Sequence, residues 1–436
     1  MGITKRGLAV LALGVPAAFL GAVVFPPYFP VAAFVSLYLL VFGIDFALAA
    51  SKRTIRARIA PLERLEQGRE GGIAVSLQNT GKQTVSICAR LPLPASIADL
   101  TGPFSARIAP GGDVAETVRI TPAIRGDYPA APLAIECVGP LGLALRRSSV
   151  RLDATYSVYS DLAPYRSARL LARKKLLDRE SAASHRMRGL GTDFSEIREY
   201  APGDDYRKIN WKATASTGKL HTNVYDVEKD LSVIAAVDTG RLMLSPAGEK
   251  SRLDYAIESA LALISAALHS GDRAGFLVFG HDIKHYIPPG RDRTQTGRIL
   301  DASYGLRPEY YESDLRGLSA FVLKKQKRRS LVVVFTYLSD SEQAKRIRTE
   351  LAPLARRHAL LVCSLQNPAL ADLACLDVAD SGALYARASA LFRLEGQRAA
   401  ASVLRGGGIY GFSAEPDKLP IGTVNRYLEQ KKRIRF

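Results

Sequence analysis

Leu231-Ser232-Val233-Ile234-Ala235-Ala236-Val237-Asp238 is a nearly unbroken apolar run that ends on a carboxylate. Such a run fits a strand buried on both faces better than one with a wet side. Downstream, Leu253, Ile257, Ala260, Leu261, Ile264 and Leu268 share one helical stripe, which predicts an amphipathic helix over 252–269. Strands are expected at 274–279, 331–335 and 359–365. Helices are expected near 294–304, 315–327 and 341–357. Strands that alternate with helices predict an α/β doubly wound domain over 231–436, its parallel sheet covered on both faces. Ligands of such sheets bind beyond the carboxyl ends of the strands. Asp238 stands at that edge.

Working back toward the N-terminus, residues 161–230 read as a polar connecting segment. It opens with a basic helical stretch holding Arg166, Arg169, Arg173, Lys174 and Lys175, a solvated face or an anionic-lipid contact. Before it, residues 51–160 carry short alternating runs such as Ile73–Gln78, Thr84–Ala89 and Ala115–Ile120. Asn79-Thr80-Gly81-Lys82, Pro110-Gly111-Gly112-Asp113 and Arg125-Gly126-Asp127 punctuate them. That rhythm predicts a β-sandwich domain without a catalytic constellation.

The first 50 residues differ again. Two apolar runs, 7–25 and 31–50, flank the turn Pro26-Pro27-Tyr28-Phe29-Pro30. Each is close to the ~20 residues a membrane-spanning helix needs, so a transmembrane helix hairpin is expected. Lys5 and Arg6 precede the first run, and Lys52, Arg53, Arg56 and Arg58 follow the second. Basic flanks stay inside, which places the N-terminus and the later domains in the cytoplasm at a bacterial inner membrane. Read as a cleaved signal peptide, the first run would be unusually long and the second would have no explanation. Asp45 interrupts the second run close to its end, where hydration at the interface is expected.

The chain of 436 residues has 60 basic and 42 acidic side chains, a net charge of +18. That excess suits a protein at an anionic cytoplasmic face. Nucleic acid is the weaker reading, because the basic cluster Lys324-Lys325-Gln326-Lys327-Arg328-Arg329 lacks interleaved aromatics. Cys88, Cys137, Cys363 and Cys375 show no metal-ligand spacing, and cytoplasmic placement predicts free thiols. No G-x-x-x-x-G-K-[ST] occurs, so ATP hydrolysis is expected to belong to a partner, and no cofactor is expected.

The most specific stretch is Gly189-Leu190-Gly191-Thr192-Asp193-Phe194-Ser195-Glu196-Ile197-Arg198-Glu199-Tyr200-Ala201-Pro202-Gly203-Asp204-Asp205-Tyr206-Arg207-Lys208-Ile209-Asn210-Trp211-Lys212. It resembles the signature of the domain of unknown function 58 family, G-x-G-x-[DE]-F-x-x-[IL]-R-x-Y-x-x-G-D-D-x-R-x-I-[DN]-W-K. The order of hairpin, β-domain, signature and α/β domain is also similar to full-length members. The resemblance implies a von Willebrand factor A-like α/β domain, and an AAA+ ATPase of the MoxR class as a protein partner.

Such domains often hold a divalent cation through D-x-S-x-S after the first strand, a second-loop Thr and a later Asp. Here the first motif reads Asp238-Thr239-Gly240-Arg241-Leu242, without either serine. The later position reads Phe335-Thr336-Tyr337-Leu338, with Tyr337 in place of Asp; the nearest carboxylate is Asp340. Thr294 and Thr296 are candidates for the second-loop Thr. The site is therefore expected to be degenerate, with no tight metal.

Within the signature, Asp193, Glu196, Arg198, Glu199, Asp204, Asp205, Arg207, Trp211 and Lys212 are the candidate interaction residues. Mixed charges at this density suit an ion-pair network that docks the segment on its neighbour. Trp211, the only tryptophan, is expected as an apolar anchor packed on the α/β domain. The favoured function is a membrane-anchored interaction or assembly adaptor. The alternatives are an enzyme using the carboxylates of 193–205 and a basic lipid- or nucleic-acid-binding module.

Overall fold

The structure, a computed structural model, describes residues 2–21, 28–49, 54–61, 63–171, 193–202, 204–226, 231–248, 250–292, 294–378, 380–405 and 408–433. The chain divides into two compact units, Met1–Asp161 and Leu162–Phe436.

In the first unit, strand β1 (Gly2–Ile3) precedes helix α1 (Lys5–Gly21), and α2 (Tyr28–Leu48) follows. Within α2, Phe29–Leu48 is long and apolar enough to cross a membrane, and little of it is covered by protein. The Tyr38 hydroxyl donates to the Gly7 carbonyl at 3.1 Å, which ties the two helices together. Asp45 departs from expectation: it is fully buried rather than hydrated. Its carboxylate accepts backbone N–H bonds from Leu141 (2.7 Å), Leu143 (2.8 Å) and Ala144 (2.7 Å). A carboxylate that gains several such donors can stay buried without a cation.

The β-domain has strands β2 (Ile55–Pro61), β3 (Leu65–Glu66), β4 (Gly71–Asn79), β5 (Val85–Arg90), β6 (Ile97–Asp99) and β7 (Phe104–Ile108). It continues with β8 (Asp113–Pro122), β9 (Gly126–Pro129), β10 (Leu133–Val138), β11 (Ala144–Val150) and β12 (Thr155–Tyr159). They form sheets ordered β2-β4-β8-β6, β1-β11-β10-β5-β7 and β3-β12-β9. In β4 the alternation has the expected consequence: Ile73, Val75 and Leu77 are buried between more exposed neighbours. The following turn does not fold β5 back on β4, however. The buried Asn79 side chain donates to the carbonyls of Gln83 (2.7 Å) and Ile108 (3.2 Å), and the chain crosses to the other sheet. Inner residues of both sheets, among them Val75, Ile120, Ile87 and Ile135, share one core, as in a sandwich. All four cysteines are free thiols. Cys88 is opposite Glu136, and the buried Cys137 is opposite Ile87, so the two thiols lie on opposite faces of their sheet.

In the second unit, residues 163–171 are helical and Arg173, Lys174 and Lys175 lie outside the described residues. The expected connecting segment is folded over its described part. Strand β13 (Asp193–Glu199) pairs antiparallel with β14 (His221–Asp226). A short helix, Trp211–Thr217, lies between them, capped by Asn210, whose side chain accepts from the Ala213 N–H at 3.0 Å.

The main sheet uses β15 (Ser232–Asp238), β18 (Arg273–Phe279), β19 (Ile283–Gly290), β20 (Ser330–Phe335), β21 (Ala359–Leu365) and β22 (Tyr410–Ala414). The pair β16 (Pro246–Ala247) and β17 (Lys250–Ser251) is separate. Among the described residues the order is β19-β18-β15-β20-β21-β22, parallel throughout except that β19 runs antiparallel to β18. That edge strand and β22 have no counterpart in the sequence reading, because Ile-Lys-His-Tyr-Ile-Pro-Pro-Gly lacks an apolar run. Its prolines suit an edge. Alternate residues of β15 serve different cores: Val233, Ala235 and Val237 face the helix Arg252–His269, while Ile234 and Ala236 face Leu315–Lys325 and Ser341–Arg357. Each fully buried Val or Ile contributes about 1.5–3 kcal/mol.

At the amino edge, Asp272 anchors the helix Leu419–Arg433. It accepts from the Tyr427 hydroxyl and from Lys431 Nζ at 2.6 Å. Burial pushes Asp272 above the usual carboxylate range even against the Lys431 ammonium.

Candidate functional site

Numbered by appearance, the main sheet runs 3-2-1-4-5-6, so its direction switches between β15 and β20. Crevices outside the carboxyl ends at such a switch are where doubly wound folds bind ligands. A cleft of about 440 Å³ opens there, lined by Asp238, Arg241, Glu312, Ser313, Thr336 and Asp340, among others.

Asp238 is its buried end. One oxygen accepts from the Gly240 N–H at 2.7 Å and from the Ser313 hydroxyl; the other accepts from the Thr336 hydroxyl at 2.6 Å. Burial pushes this carboxyl above its ordinary range, and the hydrogen bonds oppose that. Ser313 supplies the second-loop hydroxyl, and Thr294 and Thr296 do not. Those threonines flank Gln295, which donates to Ala274 (2.8 Å) and Pro288 (2.9 Å) at the other edge of the sheet. Gly240 is what admits Ser313: a Cβ at 240 would lie 2.0 Å from the Ser313 Oγ. The glycine that removes one serine hydroxyl therefore makes room for another from a distant loop.

Other positions of the expected metal site turn elsewhere. Thr239 donates its hydroxyl to the Phe279 carbonyl at 3.1 Å. Tyr337 is buried beneath the Arg252 guanidinium, 3.5 Å from the ring centroid, and its hydroxyl accepts from Gln397 at 3.0 Å. Asp340 caps the helix Ser341–Arg357 by accepting from the Gln343 N–H at 2.9 Å. At the mouth of the cleft Glu312 bridges Arg346 (2.9 Å) and Arg241 (3.4 Å). Hydroxyls and a single buried carboxylate converge here, and no group of three or more His, Cys, Asp or Glu gathers among the described residues.

The signature residues do not assemble into this cleft. Arg198 pairs with Asp204 at 2.6 Å and Glu199 with Lys219 at 2.9 Å. Asp205 caps the turn at Tyr206–Lys208 by accepting from the Arg207 N–H at 3.0 Å. Arg207 lies over the Tyr206 ring at 5.7 Å, while Glu196 and Lys212 are exposed. The backbone of Asp193 pairs with Asp226, and residues 189–192 and 203 lie outside the described residues. Two of the charge pairs thus form locally, but the expected anchor is not one. Trp211 begins its helix 68% exposed, and Tyr206, five residues earlier, is 67% exposed. A first-turn position leaves a side chain in solvent unless a neighbour covers it, and the motif alone carries no signal for that cover.

Comparison with known proteins bears on the same region. The family described as "Protein of unknown function DUF58" matches residues 196–382. Uncharacterized proteins of Mycobacterium bovis and Mycobacterium tuberculosis are 24% identical over 265 residues, which is 56% of this chain and 81% of theirs. Among solved structures, a FixG-related protein from Vibrio parahaemolyticus aligns with 24% of the chain and 96% of its own length, at 8% identity and TM-score 0.17. Native Escherichia coli alpha-2-macroglobulin aligns with 23% of the chain, at 11% identity and TM-score 0.17, and the chain spans 6% of it. Likeness this slight carries no argument about function. Residues 196–382, the region that holds most of the signature and the Asp238 cleft, are thus similar to the DUF58 family.

Proposed function

We propose that this chain is a membrane-anchored interaction or assembly adaptor, working with an AAA+ ATPase of the MoxR class. In this reading α1 and α2 form a two-pass hairpin in a bacterial inner membrane, with the N-terminus and both soluble domains in the cytoplasm. The α/β domain is von Willebrand A-like, a reading that the 3-2-1-4-5-6 strand order supports. Its partner docks on the signature.

One observation carries the proposal. The sole tryptophan is 68% exposed inside the most specific motif, Tyr206 of the same motif is also exposed, and Arg198 and Glu199 are paired with Asp204 and Lys219. Exposed aromatics framed by satisfied polar groups are the usual energetic centre of a protein interface. The enzyme reading has no such support, since Glu199 and Asp204 face separate cationic partners rather than one another.

The test is co-purification of the detergent-solubilised full chain with the MoxR-class ATPase of the same genome. Trp211→Ala is expected to melt within roughly 0.5 kcal/mol of wild type, as exposed substitutions do. It should weaken capture by about 2 kcal/mol or more. Glu199→Gln should do neither. Capture that survives Trp211→Ala, or that is lost with Glu199→Gln alone, overturns this reading.

A further inference from the structure

Where α2 ends, a second cleft of about 340 Å³ opens against the β-domain. Leu48, Val138 and Pro140 give it an apolar wall, Arg146 and Lys82 give it charge, and no carboxylate is among its lining residues. Arg146 is held in place. Its guanidinium lies over the Phe46 ring, 4.6 Å from the centroid, and Nη1 donates to the Ala49 carbonyl at 3.0 Å. That bond uses one of the five guanidinium donors and also occupies a carbonyl at the negative end of the helix. Lys82 is exposed and makes no ion pair among the described residues. Among the described residues the Asp45 carboxylate makes no ion pair with Arg146 or Lys82; it accepts from the backbone of residues 141, 143 and 144. The cleft therefore combines two cationic side chains with apolar ones and with the polar Asn79, Gln83 and Thr84. It sits at the end of a helix long and apolar enough to cross hydrocarbon.

We infer that this cleft binds the phosphate of an anionic phospholipid headgroup, with Lys82 and Arg146 as its ligands and the apolar wall against the glycerol end of the acyl chains. The inference rests on the membrane-anchored reading above. An anionic lipid held here would fix the level at which the β-domain meets the bilayer.

The experiment uses the full chain, delipidated in detergent, with thermal unfolding followed as lipid is added. Phosphatidylglycerol should raise the melting temperature saturably, whereas phosphatidylcholine and inorganic phosphate should not. Lys82→Ala should weaken the apparent affinity roughly fivefold and Lys82→Glu roughly thirtyfold, with the lipid-free melting temperature unchanged. Equal responses to the two lipids, or unaltered affinity in Lys82→Glu, overturn the site. A shift with inorganic phosphate alone assigns it to a soluble anion and overturns the lipid. Carbonate extraction separates the two readings. If alkaline carbonate strips the chain from membranes, the anchor falls. If the chain is retained yet indifferent to phosphatidylglycerol, only the cleft falls.

Discussion

Asp238 and Asp272 are buried at opposite edges of the same sheet, and burial pushes both carboxyls upward. Their surroundings differ. At the amino edge, Asp272 meets a cation and a phenol from the last helix, Lys431 and Tyr427, and all three are almost completely covered. At the carboxyl edge, Asp238 meets only hydroxyls and one backbone N–H, and it lines an open cleft. The first arrangement clamps two elements together. The second keeps a carboxylate positioned without a counter-charge, at the edge where doubly wound sheets bind their ligands. The lesson is that burial alone does not mark a functional acid; what its partners leave open does.

The contrast predicts unequal sensitivities. Lys431→Met leaves Asp272 buried without its cation, and should lower stability by about 3–5 kcal/mol in chemical denaturation. A loss below 1 kcal/mol would show that the clamp is ornamental.

Acid should also attack the amino edge first. His358, buried where β21 begins, is pushed down to about 4 from an ordinary 6.5 by burial, with Arg357 and Arg329 adding to the effect. The folded state then binds the proton more weakly than the unfolded chain. Stability contributed by neutral His358 is present above pH 6.5 and is lost as pH falls toward 4, a change on the order of 3 kcal/mol. His358→Leu should flatten that part of the pH–stability curve, and an unchanged curve would assign the acid sensitivity elsewhere.

At the carboxyl edge the effects should be smaller. Asp238→Asn keeps the side chain's shape and an acceptor for the Gly240 N–H, so it should shift stability by about 1 kcal/mol. Millimolar Mg²⁺ should leave the melting temperature unchanged, because Gly240 and Leu242 offer no side-chain oxygen and Tyr337 is turned into the core. A cation at a hundred times its dissociation constant would add about 2.7 kcal/mol. A saturable shift that disappears in Asp238→Asn would make Ser313 and Thr336 metal ligands and erase the contrast.

Much of the α/β unit was legible in the sequence. The apolar runs at 231–238, 274–279, 331–335 and 359–365 became β15, β18, β20 and β21, since a strand buried on both faces leaves no polar position to confuse it. The strand–helix alternation placed Asp238 at the carboxyl edge, and the signature pointed to the family whose model matches residues 196–382. The half-polar edge strands β19 and β22 and the β13–β14 hairpin were not legible, because wet or mixed faces carry no clean period.

Tertiary structure alone decided the partners. Ser313 reaches Asp238 across 75 residues of sequence, Thr336 across 98 and Lys431 reaches Asp272 across 159. Asp45 finds its backbone donors 96 to 99 residues away, and Trp211 is left in water instead of packed. The reason is physical. Periodicity records which face of an element is buried, whereas the identity of a buried group's partner depends on where distant loops close.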